Sequence, residues 1–340
     1  MRAPGNGPLP LRAKKLAIGW KGRGREPLSS GIDLVVDSGD FAVLVGPNGS
    51  GKSTLLRTLV GLQPALSGSV ELCGTELRRI SVEERATRVA CVFTDRADSG
   101  YLSVFDVAAF GRYPYTDSRN RLGPEDAALV ERSIAAVGLA GLEDRRFSEL
   151  SDGERQKALV ARAIAQDCPL LVLDEPTAFL DAPARVEIFH LARVLAHSGG
   201  KAVVFSTHDI DQALRYADTL LLMDRGHRLE KGAPEDLAVS GAIGRAFDGE
   251  SFRFDVSTGS FRSAERGIGL KVELVGPEGP IKDWTGRLLE RLGCTVCRAG
   301  SEASAIRVSL LDDRPAFELG GRLVQGYSEL ARLLEELLPD

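Results

Sequence analysis

The sequence predicts an α/β fold built on a parallel sheet, followed near its end by a small α+β unit. Strand-like and helix-like segments alternate up to about residue 215, which is the pattern of parallel strands joined by helices. A glycine-rich run, GPNGSGKST, separates apolar FAVLV from LLRTLVGL, and a second apolar run, LLVLDEP, ends in two carboxylates. Polar residues at the ends of apolar strands predict a ligand site at the carboxyl edge of the sheet.

Length and composition limit the function classes to which the chain can belong. A chain of 340 residues is expected to fold as two domains, at a prior of about 150 residues each. Lys plus Arg number 43 against 48 Asp plus Glu, a net charge of -5, so no nucleic-acid partner is expected. The N-terminus lacks an apolar h-region and no run of about 18 apolar residues occurs, so we expect a chain that is neither exported nor membrane-spanning. Five scattered cysteines indicate a reduced cytosol.

The run from residue 46 to 54 predicts a phosphate-binding loop of the Walker A type. A strand-like segment precedes it and a helix-like segment follows it, which is the order that such a loop requires. The glycines let backbone N–H groups turn toward phosphate oxygens, Lys52 can reach the β- and γ-phosphates of ATP, and the Ser53 hydroxyl can bind Mg²⁺. The alternative is a plain glycine turn between a strand and a helix. The candidate nucleotide-binding residues here are Gly46, Pro47, Asn48, Gly49, Ser50, Gly51, Lys52, Ser53 and Thr54.

Two carboxylates at the end of LLVLDEP (170–176) are candidates for metal binding and catalysis. Asp174 lies at the exit of the strand, where it can hold the Mg²⁺ shell, and Glu175 can polarise a water that attacks the γ-phosphate. The alternative is a solvated acidic pair before a proline turn. A further candidate, His208, follows strand-like KAVVFS and is expected to face the same crevice as Glu175. No role is expected for the other histidines, His190, His197 and His227.

A second anion site is predicted at LSDGERQ (150–156). A Ser and a Gly flank an acidic residue at the start of a helix whose next residues, KALVARAIA, place apolar side chains on one face. The free backbone N–H groups at such a start suit an anion, because the helix dipole adds about half a positive charge there. Since the Walker A loop already provides a phosphate site, these residues alone leave open which anion the second site binds.

These motifs together resemble the nucleotide-binding subunit of an ATP-binding cassette (ABC) transporter, over roughly residues 12 to 263. The Walker A run, LSDGE, LLVLDEP, AFLD and STHD are all present in family order. The resemblance implies a P-loop NTPase of the ABC ATPase type at residues 1–265, with a helical subdomain at about 95–165. It also implies a homodimer that binds two ATP at head-to-tail interfaces.

The resemblance assigns the second anion site to the nucleotide of a partner copy. Ser151 and Gly153 would contact the γ-phosphate bound by the Walker A loop of the opposite subunit. Asp181 in AFLD would lie at the seam between the two copies. His208 would hold the γ-phosphate and the hydrolytic water beside Glu175.

Three positions depart from the family pattern or have a second explanation. Asp152 replaces a commoner glycine, and since a carboxylate near phosphate repels it, Asp152 is assigned no binding role. Trp20 stands where the family stacks an aromatic ring on adenine; it could equally be a packing residue, but loop-like GWKGRGR favours stacking. Thr94 replaces the glutamine that touches Mg²⁺ and relays the nucleotide state, and its hydroxyl can bind metal with a shorter reach.

The segment YLSVFDVAAFGRYPYTD (101–117) resembles the ATPases of importers for iron-siderophores, haem and cobalamin. In that group an integral membrane permease docks here, near Thr94–Asp117, and an extracytoplasmic substrate-binding protein takes part indirectly. The resemblance implies a peripheral ATPase at the cytoplasmic face of the inner membrane that drives import. The alternative is a turn with exposed aromatics at Tyr113, Pro114 and Tyr115, although such side chains commonly anchor interfaces.

Two other functions compete with ATP-driven transport. A soluble ABC ATPase acting in DNA repair or translation would use the same dimer, but this chain has one cassette and neither a long coiled-coil insertion nor a basic arm. A nucleotide-sensing interaction module would bind ATP without turnover, and the intact Glu175 and His208 argue against it. Hydrolysis of ATP with Mg²⁺, coupled to transport, is therefore the expected function.

Residues 266–340 are expected to form a small α+β domain. LKVELVG, CTVCRAG and AIRVSLL are strand-like, DWTGRLLERLG and YSELARLLEELL are helix-like, and the leucines of the last helix form one apolar stripe. Cys294 and Cys297 suggest metal or redox chemistry, but no second pair completes a zinc site, so we expect them to pack. Upstream, TLLLMDRGHRLEKGAP and FRFDVSTGSFR predict two hairpins.

Overall fold

The computed structural model describes residues 9–20, 22, 26–93, 101–116, 121–249, 252–263, 270–297, 304–311 and 314–337. The chain divides into two compact units. The first comprises Met1–Asp248 with Phe254–Ser260, and the second comprises Gly249–Arg253 with Phe261–Asp340. None of the helices in the described stretches has the length and apolar character that crossing a membrane requires.

The first unit contains two sheets and the helices that cover them. Its strands are β1 (Leu11–Ile18), β2 (Ser29–Val36), β3 (Phe41–Val45), β4 (Ser67–Leu72), β5 (Thr75–Glu76), β6 (Val89–Val92), β7 (Leu170–Asp174), β8 (Ala202–Ser206), β9 (Thr219–Met223) and β10 (Leu229–Gly232). Its α-helices are α1 (Lys52–Leu59), α2 (Val82–Ala86), α3 (Val104–Ala109), α4 (Pro124–Ala136), α5 (Asp152–Ala165), α6 (Ala182–His197), α7 (Ile210–Tyr216), α8 (Pro234–Val239) and α9 (Ala242–Phe247).

The larger sheet has six strands in the order β10-β9-β3-β8-β7-β6. Strands β9, β3, β8, β7 and β6 are parallel, and the edge strand β10 pairs antiparallel with β9. Every residue of β3, β7 and β8 is buried, because helices cover both faces of the sheet. The predicted α/β fold and the predicted hairpin of β9 and β10 are therefore confirmed.

Two helices cover opposite faces of this sheet. On one face, Leu55 and Leu56 of α1 join Leu44 of β3 in an apolar core that also includes residues of the small antiparallel sheet β2-β1-β4-β5. On the other face, the ring of Phe189 from α6 contacts that of Phe205 from β8, with centroids 4.5 Å apart. The ring of Phe41 from β3 also contacts that of Phe189, with centroids 6.4 Å apart, so β3 contributes side chains to both faces and its register is fixed. The polar motifs follow the carboxyl ends of β3, β7 and β8 at one edge of the sheet.

In the helical region, α3, α4 and α5 pack against one another. The GRYPY run lies in the 3₁₀ segment Phe110–Tyr115. Gly111 has to be glycine, because a Cβ atom there would lie 2.2 Å from a carbonyl oxygen of α5. Arg112 donates to Asp126 of α4 at 2.8 Å and to a carbonyl at the end of α5 at 3.0 Å. The glycine and arginine of this run therefore hold the helical region together.

The second unit has its own sheet and its own core. The hairpin of β11 (Phe252–Asp255) and β12 (Ser260–Ser263) confirms the predicted pairing, and the division between the units passes through it. The elements that follow are β13 (Lys271–Val275), α10 (Pro280–Arg291), β14 (Thr295–Cys297), β15 (Ser304–Leu311), β16 (Arg314–Leu319), β17 (Arg322–Gln325) and α11 (Tyr327–Glu335). The strand order is β14-β13-β15-β16-β17; the first three are parallel and the rest antiparallel.

The hairpin formed by β16 and β17 was not predicted from the sequence. Gly320 and Gly321 both have positive φ, +57° and +79°, and form the two-residue turn between these strands. A Gly-Gly pair between two strand-like runs is a hairpin signal that could have identified it. Only part of the predicted leucine stripe packs: Leu330 and Leu333 of α11 are buried in the core of the second unit, whereas Leu337, beyond the end of the helix, is 49% exposed.

Candidate active site

The P-loop, residues 46–53, connects β3 to α1 at the carboxyl edge of the larger sheet. Gly49 and Gly51 adopt positive φ, +78° and +106°, where a side chain would strain the backbone. Gly46 is needed for a different reason, because a Cβ atom there would lie 2.3 Å from the Met223 carbonyl oxygen of β9. The glycines of the motif thus allow both the loop's curvature and its close approach to β9.

The N-terminus of α1 suits an anion. Gly51, at the N-cap, has no side chain to bind the first N–H groups, and the first turn of the helix contains no acidic residue. Lys52 lies there as well, nearly buried, with its Nζ donating to the carbonyl oxygens of Gly46 at 2.8 Å and Pro47 at 3.2 Å. Helix N–H groups and an adjacent ammonium fit the phosphates of a nucleotide.

Burial lowers the pKa of Lys52, and the nearby carboxylates of Glu175 and Asp174 partly oppose that shift. The lysine therefore interacts electrostatically with the two acidic residues that follow from β7. The structure thus brings the predicted P-loop lysine and the predicted carboxylates into one site.

Asp174, the last residue of β7, is held by a residue that the sequence analysis missed. Ser206, at the end of the neighbouring strand β8, is fully buried and lies opposite Asp174 in the sheet register. Its Oγ donates to Asp174 Oδ1 at 2.6 Å and accepts from the Glu175 N–H at 3.0 Å. A polar residue at the end of an otherwise apolar strand, beside a carboxylate-bearing strand, was the available signal.

Glu175 has a strained backbone and a defined proton partner. Its φ is +51°, a region that non-glycine residues rarely adopt and that occurs often at functional sites. Its Oε1 atom lies 2.5 Å from His208 Nε2. The hydrogen bond from His208 lowers the pKa of Glu175, and the charge of Lys52 acts in the same direction. The carboxylate is therefore ionised near neutral pH and available to accept a proton.

The predicted second anion site forms the start of α5 and is partly filled by the chain itself. Ser151 is the N-cap, and its Oγ accepts from the Glu154 N–H at 3.2 Å. The Glu154 carboxylate in turn accepts from the Ser151 N–H at 2.8 Å, completing a capping box. Asp152 pairs with Arg155 at 3.1 Å, in agreement with its having no predicted binding role. One backbone N–H of this helix start, that of Ser151, is therefore already bound by Glu154.

The AFLD segment lies against this helix start. A Cβ atom on Gly153 would be 3.3 Å from the Phe179 carbonyl oxygen, so the two segments approach closely. Phe179 itself has φ +67°, and 70% of the residue is exposed. Asp181 caps α6, with its carboxylate accepting from the Ala184 N–H at 3.0 Å. Asp181 thus has a structural task as well as its predicted place at a dimer seam.

Comparison with known proteins identifies the family. Residues 29–178 match the family described as ABC transporter. An uncharacterized ABC transporter ATP-binding protein of Methanocaldococcus jannaschii is 37% identical over 251 residues, which are 74% of this chain and 86% of that protein. This chain belongs to the ABC transporter family. It is an ABC ATPase, and its family binds ATP.

Other relatives and two solved structures agree with the family. The ferric enterobactin transport ATP-binding protein of Escherichia coli is 32% identical over 70% of this chain and 86% of its own length. The cobalamin import ATP-binding protein of Halobacterium salinarum is 39% identical over 64% of this chain and 54% of its own length. An inward-facing metal-chelate type ABC transporter has a TM-score of 0.61 at 21% identity, over 95% of this chain and 99% of that one. A dimeric bacterial ABC transporter cassette has a TM-score of 0.58 at 24% identity, over 65% of this chain and 98% of that one, and these two structures share the fold.

The functional roles of the candidate residues remain predictions, and for two of them the structure adds least. Trp20 follows β1 and is 54% exposed, so its ring is not a core packing residue and retains a surface for stacking. Thr94 lies outside the described residues, as does Asp117 at the far end of the predicted docking segment. The stacking and metal-binding roles of Trp20 and Thr94 therefore rest on the sequence.

Ser206→Ala is expected to lower ATP turnover about tenfold and the free energy of unfolding by about 1–3 kcal/mol, because a buried charge loses a hydrogen bond. Steady-state hydrolysis and urea denaturation measure the two quantities. Val204→Ala is the matched control, since Val204 is equally buried on the same strand but has an apolar side chain. It should lose stability and keep turnover. An equal loss of turnover in both variants would contradict a positioning role for Ser206.

Proposed function

We propose that this protein is the ATP-hydrolysing subunit of an importer for iron-siderophore, haem or cobalamin-type cargo. The observation that carries the proposal is the meeting of the P-loop lysine with the paired Glu175 and His208 at the carboxyl edge of one sheet. That edge is where ligands of parallel sheets bind. The names of the relatives from Escherichia coli and Halobacterium salinarum support the cargo class.

In the proposed reaction, the side chains divide the work of cleaving the γ-phosphate. The ionised Glu175 accepts a proton from the attacking water. His208, whose Nε2 contacts Glu175, holds that carboxylate and the water in place. Lys52 offsets charge on the phosphate oxygens and α1 directs its first N–H groups at them. Phosphoryl transfer needs mainly such positioning and charge stabilisation.

The residues at this edge also fit Mg²⁺. Asp174 is a buried carboxylate, and its Oδ1 atom is oriented by Ser206. Ser53, the last residue of the P-loop and part of the first turn of α1, provides an exposed hydroxyl. These two residues would hold the ion, which neutralises phosphate charge and orients the γ-phosphate for attack.

We further propose that a second copy completes the site. α5 packs mainly on α3, α4 and β6, whereas α1 packs on β1, and both helices also contact β7. The hydrogen bonds of Ser151 described above remain within its own helix start. By the resemblance to the family, Ser151 and Gly153 would meet the γ-phosphate of the opposite copy, with Asp181 at the seam. The dimeric bacterial cassette of the same fold supports this arrangement.

We place the docking surface for a membrane permease at residues 101–116, the part of the 101–117 segment that the structure describes. Tyr113 and Tyr115 are 48% and 40% exposed, and Arg112 lies over the Tyr115 ring at 4.1 Å. Partly exposed aromatic side chains on a rigid support are typical anchors of interfaces. The protein would bind there peripherally at the cytoplasmic face of the membrane, with an extracytoplasmic binding protein delivering cargo to the permease.

Affinity purification from detergent-solubilised membranes tests this function. The tagged protein should recover a multi-span membrane protein, and Tyr113→Asp should lower that recovery at least about tenfold because it places a charge in an apolar contact. Val239→Asp is the control, since Val239 is 78% exposed on α8, outside the proposed surface. Recovery with RNA or DNA, or equal losses in both variants, would contradict the docking proposal.

A further inference from the structure

We propose that His227 is a positioning residue that holds the P-loop in its nucleotide-binding shape. The proposal rests on ATP binding at the P-loop, as proposed above. His227 lies in the turn between β9 and β10, and its Nδ1 atom is 2.8 Å from the Ser50 carbonyl oxygen. The two residues are 177 positions apart in the chain, so no local motif contains the contact.

The turn is built to present this ring. The Asp224 carbonyl oxygen accepts from the His227 N–H at 3.1 Å, and its carboxylate accepts from the Arg228 N–H at 2.8 Å. His227 has φ +62°, a left-handed conformation that histidine adopts more readily than most residues but still at a cost. A strained conformation of this kind persists only where its surroundings fix it. Here the strain accompanies a side chain that contacts the P-loop.

The hydrogen bond between His227 and the Ser50 carbonyl oxygen can form with either a neutral or a charged histidine ring. A carbonyl oxygen only accepts hydrogen bonds, so Nδ1 has to carry the proton. Both the neutral Nδ1–H tautomer and the imidazolium have that proton. The bond therefore survives protonation, and His227 acts as a fixed support.

Ser50 is the point of the P-loop at which such a support matters. It lies between Gly49 and Gly51, which have the widest backbone freedom in the loop. Its Oγ is buried and has no hydrogen-bond partner among the described residues. The same hairpin approaches the loop again at Met223, whose carbonyl oxygen leaves no room for a Cβ on Gly46. The end of β9 and its turn thus form a support behind the P-loop.

Fixing a loop before its ligand arrives reduces the ordering cost of binding. Loss of one neutral hydrogen bond should therefore weaken nucleotide binding, by about two- to tenfold. The bond touches neither the attacking water nor Glu175, so binding is lost equally in the ground and transition states. Such a change raises KM and leaves kcat unchanged.

Equilibrium binding of a fluorescent ATP analogue without Mg²⁺, followed by steady-state hydrolysis with Mg²⁺, tests the inference in the full-length protein. His227→Ala should raise the dissociation constant and KM about two- to tenfold and keep kcat within about twofold. His227→Asn should restore most of the affinity, because asparagine tolerates positive φ and has an N–H donor on a short side chain. His190→Ala, which removes an exposed histidine from α6, should change neither quantity.

A glycine variant separates the hydrogen bond from folding. His227→Gly relieves the positive φ, so the melting temperature should stay constant or rise while nucleotide affinity still falls. Wild-type affinity in both His227→Ala and His227→Gly would overturn the inference. So would a loss of affinity in the alanine variant that the glycine variant does not share. Failure of the wild-type protein to bind the analogue, in an assay where Lys52→Ala is the negative control, would instead refute the proposed function.

Discussion

Replacing Glu175 with glutamine is expected to lower ATP turnover by about 10²–10⁴-fold while nucleotide binding is retained, which is the usual effect of removing a positioned base. The amide keeps the shape of the side chain and an oxygen that can accept from His208. It cannot take a proton from water. Because the hydrogen bond from His208 lowers the pKa of Glu175, the wild-type residue is in its accepting form at neutral pH. Single-turnover hydrolysis and equilibrium binding measure the two parts of the expectation.

The same variant reports on association. If hydrolysis separates the two copies, Glu175→Gln should accumulate as a dimer in the presence of ATP, visible by sedimentation velocity. Glu187→Gln is the matched control, because Glu187 is a mostly exposed residue of α6 that pairs with Lys157 at 3.5 Å. The Glu187→Gln variant should hydrolyse ATP at the wild-type rate, and its monomer and dimer should exchange rapidly. Turnover at the wild-type rate in Glu175→Gln would rule out its role as the base.

Replacing Ser151 with aspartate is expected to lower turnover by at least about 100-fold, the scale seen when one stabilising contact to a developing anion is lost. Aspartate is as good an N-cap as serine, so α5 should still form, but its carboxylate would lie beside that of Glu154, which the Ser151 hydroxyl contacts at 2.9 Å, so the free energy of unfolding should fall by about 1 kcal/mol. The added negative charge would face the γ-phosphate of the opposite copy and repel it. Steady-state hydrolysis and chemical denaturation on the same samples give both values.

Ser151→Asn is the matched control for this experiment. Asparagine caps helices as well as aspartate does but is neutral, so turnover should stay within about tenfold of wild type. A large change such as Ser151→Arg is less informative, because it removes the capping box seen at this position and costs about 1 kcal/mol by itself. If the aspartate and asparagine variants hydrolyse ATP equally, the predicted phosphate contact of Ser151 is wrong.

The parts of the site that the sequence predicts are those whose chemistry is local in the chain. A P-loop needs glycines, a lysine and a hydroxyl within a few residues, so the spacing alone identifies it. Ser206 and His227 escaped prediction because their contacts join residues 31 and 177 positions apart. Such contacts depend on which strands are neighbours and in what register, and a single sequence states neither.

The helix start at Ser151 shows a different limit. The serine and the glutamate three residues later form a readable capping signal, and the free N–H groups also read as an anion site. The sequence does not show which of these competing partners binds them. In the GRYPY run, likewise, exposure of the tyrosines was predictable, whereas the close approach of Gly111 to α5 depends on tertiary packing.

The Glu154 carboxylate at the start of α5 affects how strongly two copies would associate. In a single copy the Glu154 carboxylate already accepts hydrogen bonds from the N–H and the hydroxyl of Ser151, so at this residue pairing with an ATP-loaded neighbour would exchange one negative group for another. The electrostatic gain from each exchange is a difference between two similar interactions and is correspondingly small. The affinity between the two copies would therefore fall once the γ-phosphate is released, and the dimer could open again after each round of hydrolysis.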